Sequence, residues 1–539
     1  MLIYYQYSKS YFTRNITVIM LYMTATCNLV CGQVLNKSFY KHYIDNFNQH
    51  DHENYQPGDF NNKKAWSFLK ANIPFFDCPD KQLEKTYYFR WWTYRKHIRN
   101  TPEGYVITEF LPDVPWAGKY NAISCAAPHH FMEGRWLKEG NYLKEYANYW
   151  LTGAGKLTLR KYSVWIADAL VNYTNVHPDD ALLHELFPYL EQNFRQWEKG
   201  HRDSTGLFWQ TDNADGMEVS ISGSYPNADT KGYRATLNSY MYAEAKALMQ
   251  ISLSLKDPLK TSYYQKVADS VRENINQKLW DNQAQFYKVI PLNNRMAFSR
   301  SYELHGYTPW YFNIPPAAYS IAWKYLMDPR YFYAPYGPTS AARNDPDFKI
   351  SYQGHECQWN GPSWPFATSI TLTAMANLLN NYQQSYLSKA DFVRLLTIYS
   401  RSHRITLENG QSQPWIDEDL NPFTGDWIAR TVLKKAGHDE QAVERGKDYN
   451  HSTFNDIIIN DLIGVRPAAT ANVIISPLIP ANKWDYYCLD DLNLKHKRIS
   501  IFYDKTGLRY HRHKGYYILI NGKTVFKANT PKRAVLDLK

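Results

Sequence analysis

The sequence predicts a mainly α-helical protein followed by a small β-structured segment. Three observations carry that expectation. Apolar residues recur at helical spacing through most of the chain, long aromatic loops separate those stretches, and the patterning turns to alternation after about residue 485.

The helical stretches can be read in order. Trp165, Ile166, Ala169, Leu170 and Tyr173 lie at steps of one, three and four. Leu183, Leu186, Leu190, Phe194 and Trp197 repeat the pattern, although Pro188 falls inside the run and moves the expected start later. Leu237, Tyr240, Met241, Glu244, Ala245 and Leu248 form a third run, and Ala367, Ile370, Ala374 and Leu378 a fourth. Roughly a dozen such helices are expected between Leu83 and Leu462. No fixed period links them, so a regular solenoid is disfavoured.

The intervening loops are long: Thr101–Pro128, Gly200–Arg234, Gln285–Pro316, Phe332–Ser363 and Thr406–Trp427. Long loops in compact domains tend to be functional or disordered, and these carry Trp, His, Asp and Glu in place of Ser/Gly filler. Near the C-terminus, Arg498–Asp504 alternates apolar and polar residues. Tyr516–Ile520, the Asn521-Gly522 pair and Lys523–Phe526 read as a hairpin with a two-residue turn. The expected organisation is a secretion signal over 1–32, a helical body over 33–480 and a β-domain over 485–539.

Composition narrows the function. With 44% hydrophobic residues the 539-residue chain can build a core, and 16% aromatics suit either that core or a ring-stacking surface. The net charge of +10 is spread along the chain, densest at Lys495–Arg498. That distribution argues against nucleic-acid binding and is compatible with an anionic glycan. In the first 32 residues, Lys9 and Arg14 precede a short apolar stretch from Ile16 to Met23, as in an export signal, and the stretch is too short to span a bilayer. Cys27 and Cys31 lack a strong lipidation context. Cys78, Cys125, Cys357 and Cys488 are far apart with no CxxC pair, and are expected to be buried thiols.

Two acidic loops carry the chemistry. Asp212, Asp215 and Glu218 stand among Trp209 and Met217, where partial desolvation would raise a carboxyl pKa, as a general acid requires. A calcium-binding turn is the alternative, without EF-hand spacing. Asp417, Glu418 and Asp419 are adjacent and repel one another; they can serve as a general base or cap a helix starting near Asp426. Two carboxylates from distant loops are what glycosidic cleavage needs. Between them, Trp359-Asn-Gly-Pro-Ser-Trp364 suits a sugar platform or a packed helix entry.

These segments resemble glycoside hydrolase family 63 and its trehalase relatives. The stretch Asp215-Gly-Met-Glu-Val-Ser220 is similar to the family's segment around its acid, and the resemblance places Glu218 in that role. Trp359–Trp364 is similar to the family's Trp-Arg-Gly-Pro-Ile-Trp. Glu418-Asp-Leu-Asn-Pro-Phe-Thr-Gly425 resembles the segment around its base, which implies Glu418. The mannosylglycerate-hydrolase-like and processing α-glucosidase-like members fit best. The resemblance implies an (α/α)6 toroid of the six-hairpin type and hydrolysis with inversion. Glu218 replaces an Asp, so Asp215 stays as the competing acid. Asn360 replaces an Arg expected in the sugar pocket.

The expected mechanism has Glu218 protonating the leaving oxygen and Glu418 activating water, with the carboxyls roughly 6.5–9.5 Å apart. An exo-acting pocket on an oligosaccharide or glycan is expected. Further candidates for contacting the sugar are Trp92, Arg95, Trp116, His130, Arg135, Trp209, His305, Trp310, Trp359, Trp364 and Trp415. No cofactor or catalytic metal is expected, since His129-His130 lacks a carboxylate at ligand spacing. No phosphate-binding glycine loop and no Gly-x-Ser-x-Gly elbow is present. Two rivals stay open: a polysaccharide lyase on an acidic glycan, and a non-catalytic glycan-binding barrel.

Overall fold

The computed structural model describes residues 33–539 apart from 56–59, 224–229, 293–296 and 408. The expected secretion signal lies outside the described residues. About 43% of the chain is helical. Helices α1 (Lys41–Gln49), α2 (Asn62–Asn72) and α3 (Lys81–Lys96) lead. They are followed by α4 (Ala127–Gly134), α5 (Asn141–Leu151), α6 (Ile166–Thr174) and α7 (Asp180–His201). Next come α8 (Ala235–Ser254), α9 (Pro258–Asn274), the single turn α10 (Thr308–Tyr311), α11 (Pro365–Asn381) and α12 (Lys389–Ser402). The helical body ends with α13 (Ile428–Lys435) and a π-helical turn, Ile457–Leu462.

Burial separates two kinds of helix. Every residue of α8 from Ala235 to Ala245 is buried, as is every residue of α11 from Pro365 to Leu378. Helix α7 buries one stripe, built on Leu182, Leu186, Leu190, Phe194 and Trp197. A helix apolar on all sides must be enclosed by others, whereas a striped one faces water on its back. Accordingly α4 packs on α6, α6 on α8, α8 on α10, α10 on α11, and α11 on the π-helical turn. Striped helices lie outside them: α7 and α9 against α8, and α12 against both α11 and α3.

First and last members of the enclosed series also meet. The Glu133 carboxylate of α4 accepts the backbone N–H groups of Phe454, Asn455 and Asp456, and Arg135 pairs with Asp456 at 2.7 Å. The aromatic excess goes mainly to packing, with Trp91, Trp136, Trp150, Trp165, Trp197, Trp310 and Trp323 fully buried.

Helix α7 runs unbroken through Pro188, contrary to the later start expected. Pro188 sits on the exposed face, where water can satisfy the carbonyl that loses its N–H partner. Asp179 caps the helix by accepting from Leu182 N at 2.9 Å.

The C-terminal strands are β2 (Tyr486–Leu494), β3 (Lys497–Asp504), β4 (Gly515–Ile520) and β5 (Lys523–Ala528), joined as an antiparallel meander. Asn521 and Gly522 both take positive φ, 49° and 83°, as the tight hairpin turn demands. The fifth strand, β1 (Phe75–Asp77), comes from the N-terminal side and pairs with β2. Asp490 on β2 accepts the N–H groups of Val34 and Leu35 at 2.8 Å, so the sheet and the start of the described chain are held together.

Candidate active site

The connectors entering the enclosed helices meet in one hollow of about 270 Å³. Glu109, Trp116 and Cys125 precede α4, Tyr162 precedes α6, and Glu218 lies on the loop before α8. Glu356, Cys357 and Trp364 precede α11, while Glu418, Arg445, Tyr449 and His451 come before the π-helical turn. Helix N-terminal ends leave free N–H groups and a partial positive charge, so polar and acidic connectors gather there at low cost.

The loop before α8 sorts its three carboxylates into different environments. Asp212 accepts from the Ser220 hydroxyl at 3.2 Å and from Asn213 N at 2.9 Å. Asp215 turns away from the hollow. It pairs with the Arg234 guanidinium at 3.1 Å and accepts from the Thr236 hydroxyl, both fully buried. That contradicts its role as competing acid, because a carboxylate held in an enclosed ion pair off the lining cannot reach a substrate. Gly216, at φ 74°, reverses the chain, and Glu218 follows on the lining, its backbone carbonyl accepting from Trp359 N at 3.1 Å. Burial pushes the Glu218 carboxyl up to about 8, and the charges of Glu418, Glu109 and Asp212 act in the same direction.

The other acidic loop also fans out. Asp417 faces Arg430 at 3.1 Å; burial outweighs that cation and raises its carboxyl to about 6. Asp419 accepts from Ala429 N at 3.0 Å, in the first turn of α13, so the helix-capping role expected for this cluster falls to Asp419 alone. Glu418 is left to line the hollow. Arg445 Nε donates to one of its oxygens at 2.9 Å and the Cys357 thiol to the other at 3.2 Å. Arg445 also holds Glu356 at 2.8 Å and lies over the Trp116 ring at 5.1 Å.

Of the residues singled out in the sequence, Glu218, Glu418, Trp116 and Trp364 line this hollow. Trp359 stacks behind Trp364 at 4.6 Å and 11°. The others lie elsewhere, each for a packing reason. Trp92 donates to Asn48 at 2.8 Å and stacks on Phe89, while Arg95 is enclosed and bonded to the Phe60 carbonyl and Asn62. His130 joins the Asn450 carbonyl at 2.6 Å, and burial lowers it to about 3. Arg135 serves the Asp456 pair. Trp209 packs against His201 with Lys231 over its ring, His305 pairs with Glu303 at 3.1 Å, and Trp310 is core. Trp415 is buried, with Arg430 and Lys447 over its ring at 4.5 and 5.4 Å. Aromatic side chains in a large helical body are more often packed than presented to a ligand, and spacing cannot separate the two.

Sequence reasoning missed Glu109, Tyr162, Glu356, Arg445, Tyr449 and His451. The one signal available was position: Glu109 and Glu356 sit in the long aromatic loops. Asn360, where an Arg was expected, is buried off the lining, and Arg445 supplies the guanidinium from another loop.

Comparison with known proteins identifies the family. The mannosylglycerate hydrolase MGH1-like glycoside hydrolase domain matches residues 119–452, more than half of the chain. A solved structure titled sialidase superposes with a TM-score of 0.85 at 39% identity, covering 93% of this chain and 44% of its own. The present chain therefore spans less than half the length of that relative. A family 78 rhamnosidase of Bacillus sp. GL1 shares the fold, with a TM-score of 0.52 at 14% identity over 80% of this chain and 41% of its own. A family 63 mannosylglycerate hydrolase from Thermus thermophilus matches at 13% identity and a TM-score of 0.46, covering 65% of this chain and 98% of its own, a likeness too slight for residue comparison. The chain belongs to the mannosylglycerate hydrolase MGH1-like glycoside hydrolase family.

Proposed function

We propose that the chain hydrolyses a glycosidic bond with inversion, Glu218 acting as general acid and Glu418 as general base. The observation that carries this reading is the split between two carboxylates on one hollow. Glu218 is desolvated and pushed up to about 8, so it holds a proton at neutral pH. Glu418 accepts from the Arg445 guanidinium at 2.9 Å, so it has a cation beside it that Glu218 lacks. Two acids whose environments differ in this way are how one site runs both halves of the reaction. Protonation by Glu218 lets the leaving group depart. Water, deprotonated by Glu418, attacks the anomeric carbon from the opposite face.

The enclosed helices and their outer partners form an (α/α)6 toroid in this reading, with the hollow at one mouth. The contact of Glu133 and Arg135 with the 454–456 segment supports closure. A hollow of about 270 Å³ suits one sugar ring and hence exo action on a glycan end. The apolar stretch near the N-terminus supports export. No helix of the described residues is long and apolar enough to cross a membrane.

The charge of the hollow favours an uncharged sugar. Glu109, Glu356 and Glu418 line it beside the protonated Glu218, and Arg445 is already engaged by Glu356 and Glu418. An acidic sugar would meet like charge, despite the basic chain as a whole.

The test is Glu418→Gln with a panel of neutral and acidic aryl glycosides, the product anomer read by NMR. Loss of turnover by at least about a hundredfold with an unchanged melting temperature is expected. Retained turnover in the variant, or a retained anomer in the wild type, refutes the assignment.

A further inference from the structure

We propose that Glu109, Cys125 and His451 bind one divalent cation of the zinc class on the wall of the hollow. Their donor atoms lie within 4.8 Å of one another, and among the described residues no other trio of such side chains comes as close. All three side chains are buried, at 4%, 7% and 4% exposure. Zinc at about 2.0–2.3 Å from each donor sets tetrahedral donors about 3.3–3.8 Å apart, so the trio needs to close by only about 1 Å.

Donor chemistry decides the class. A thiol, an imidazole and a carboxylate suit a borderline-soft ion, whereas calcium and magnesium take oxygen alone. Three protein donors facing a cavity leave the fourth position open. The imidazole is also held in place. His451 Nδ1 lies 2.9 Å from Glu109 Oε1 and 3.1 Å from the Tyr449 hydroxyl. Its other nitrogen, Nε2, is buried with no partner. The ring thus keeps one nitrogen that no protein atom consumes, while the Tyr449 hydroxyl, which is not one of the three ligands, fixes its orientation.

The proposal is independent of the catalytic reading and is tested by binding. The purified full chain, stripped with a chelator, is titrated with cobalt(II) while absorbance is recorded. Saturation at one ion per chain, with a sulfur-to-cobalt charge-transfer band displaced by zinc, is expected. In Cys125→Ser the band should vanish and affinity should fall by at least about tenfold, with His451→Gln weakening it similarly. Cys78→Ser, which changes a buried thiol on the far sheet side, should leave the band intact. Lack of saturable binding by the wild type overturns the site without recourse to any variant. So does a band that survives in Cys125→Ser or disappears in Cys357→Ser.

Discussion

Glu218→Gln should make the protein inactive and, at alkaline pH, more stable. The wild-type carboxyl is raised from its ordinary 4.5 to about 8, first by burial and then by its acidic neighbours. Between those two values the folded chain keeps a proton that the unfolded chain has released. Stability from this group is therefore full below about pH 4.5, declines as pH rises toward 8, and is flat above it. At about 1.4 kcal/mol per pH unit across that window, the ceiling is about 5 kcal/mol. Water in the open hollow screens the charge, so about 2 kcal/mol is the working figure. Glutamine keeps the shape and carries no charge at any pH. Urea unfolding of both proteins at pH 5 and pH 9 measures the effect. The variant should match the wild type at pH 5 and exceed it by about 2 kcal/mol at pH 9. Its hydrolysis should be reduced by about a hundredfold or more, and wild-type kcat/KM should fall as pH rises through about 8. Equal stability differences at the two pH values would refute the partly buried, protonated carboxyl.

Arg445→Met leaves Glu418 and Glu356 without their cation and should destabilise the fold by about 3 kcal/mol while abolishing turnover, as read by thermal melts and initial rates. Arg135→Ala breaks the enclosed Asp456 pair, so a similar loss of stability is expected, with KM unchanged in the folded fraction. Trp116→Ala should do the reverse, raising KM with little change in melting, because the ring is only partly covered and faces the hollow. Gly446→Ala would drive a methyl into Asp417 Oδ1 and against Glu418 Cγ. A drop in kcat larger than any change in KM is expected, since the substitution shifts the base and not the aromatic wall.

The two acidic loops were legible because a carboxylate cluster among aromatics has few cheap explanations. Their internal assignments were not. Asp215, Glu218 and Asp417–Asp419 differ by one to three positions, and which one faces the hollow depends on a reversal at Gly216 and on partners such as Arg234, Arg430 and Ala429 N. Those partners lie ten to twenty positions away, on helices whose placement no local pattern encodes. The aromatic candidates failed for a related reason. Trp92, Trp209 and Trp310 look like sugar platforms by residue type, yet a helical body of this size must enclose many large rings: Trp92 and Trp310 are buried, and Trp209 packs against His201 and Lys231.

By itself the sequence determined the local structure: helices from apolar spacing, the C-terminal hairpin from Asn521-Gly522 and alternation, and two acid-bearing loops. Only the tertiary structure decided that β1 completes the C-terminal sheet, that Arg445 is the partner of Glu418, and that Glu109, Cys125 and His451 share one wall. Periodicity and turn chemistry act between neighbours in the chain. Desolvation and ion pairing act between neighbours in space, and the connectors of this fold bring residues hundreds of positions apart to the same hollow.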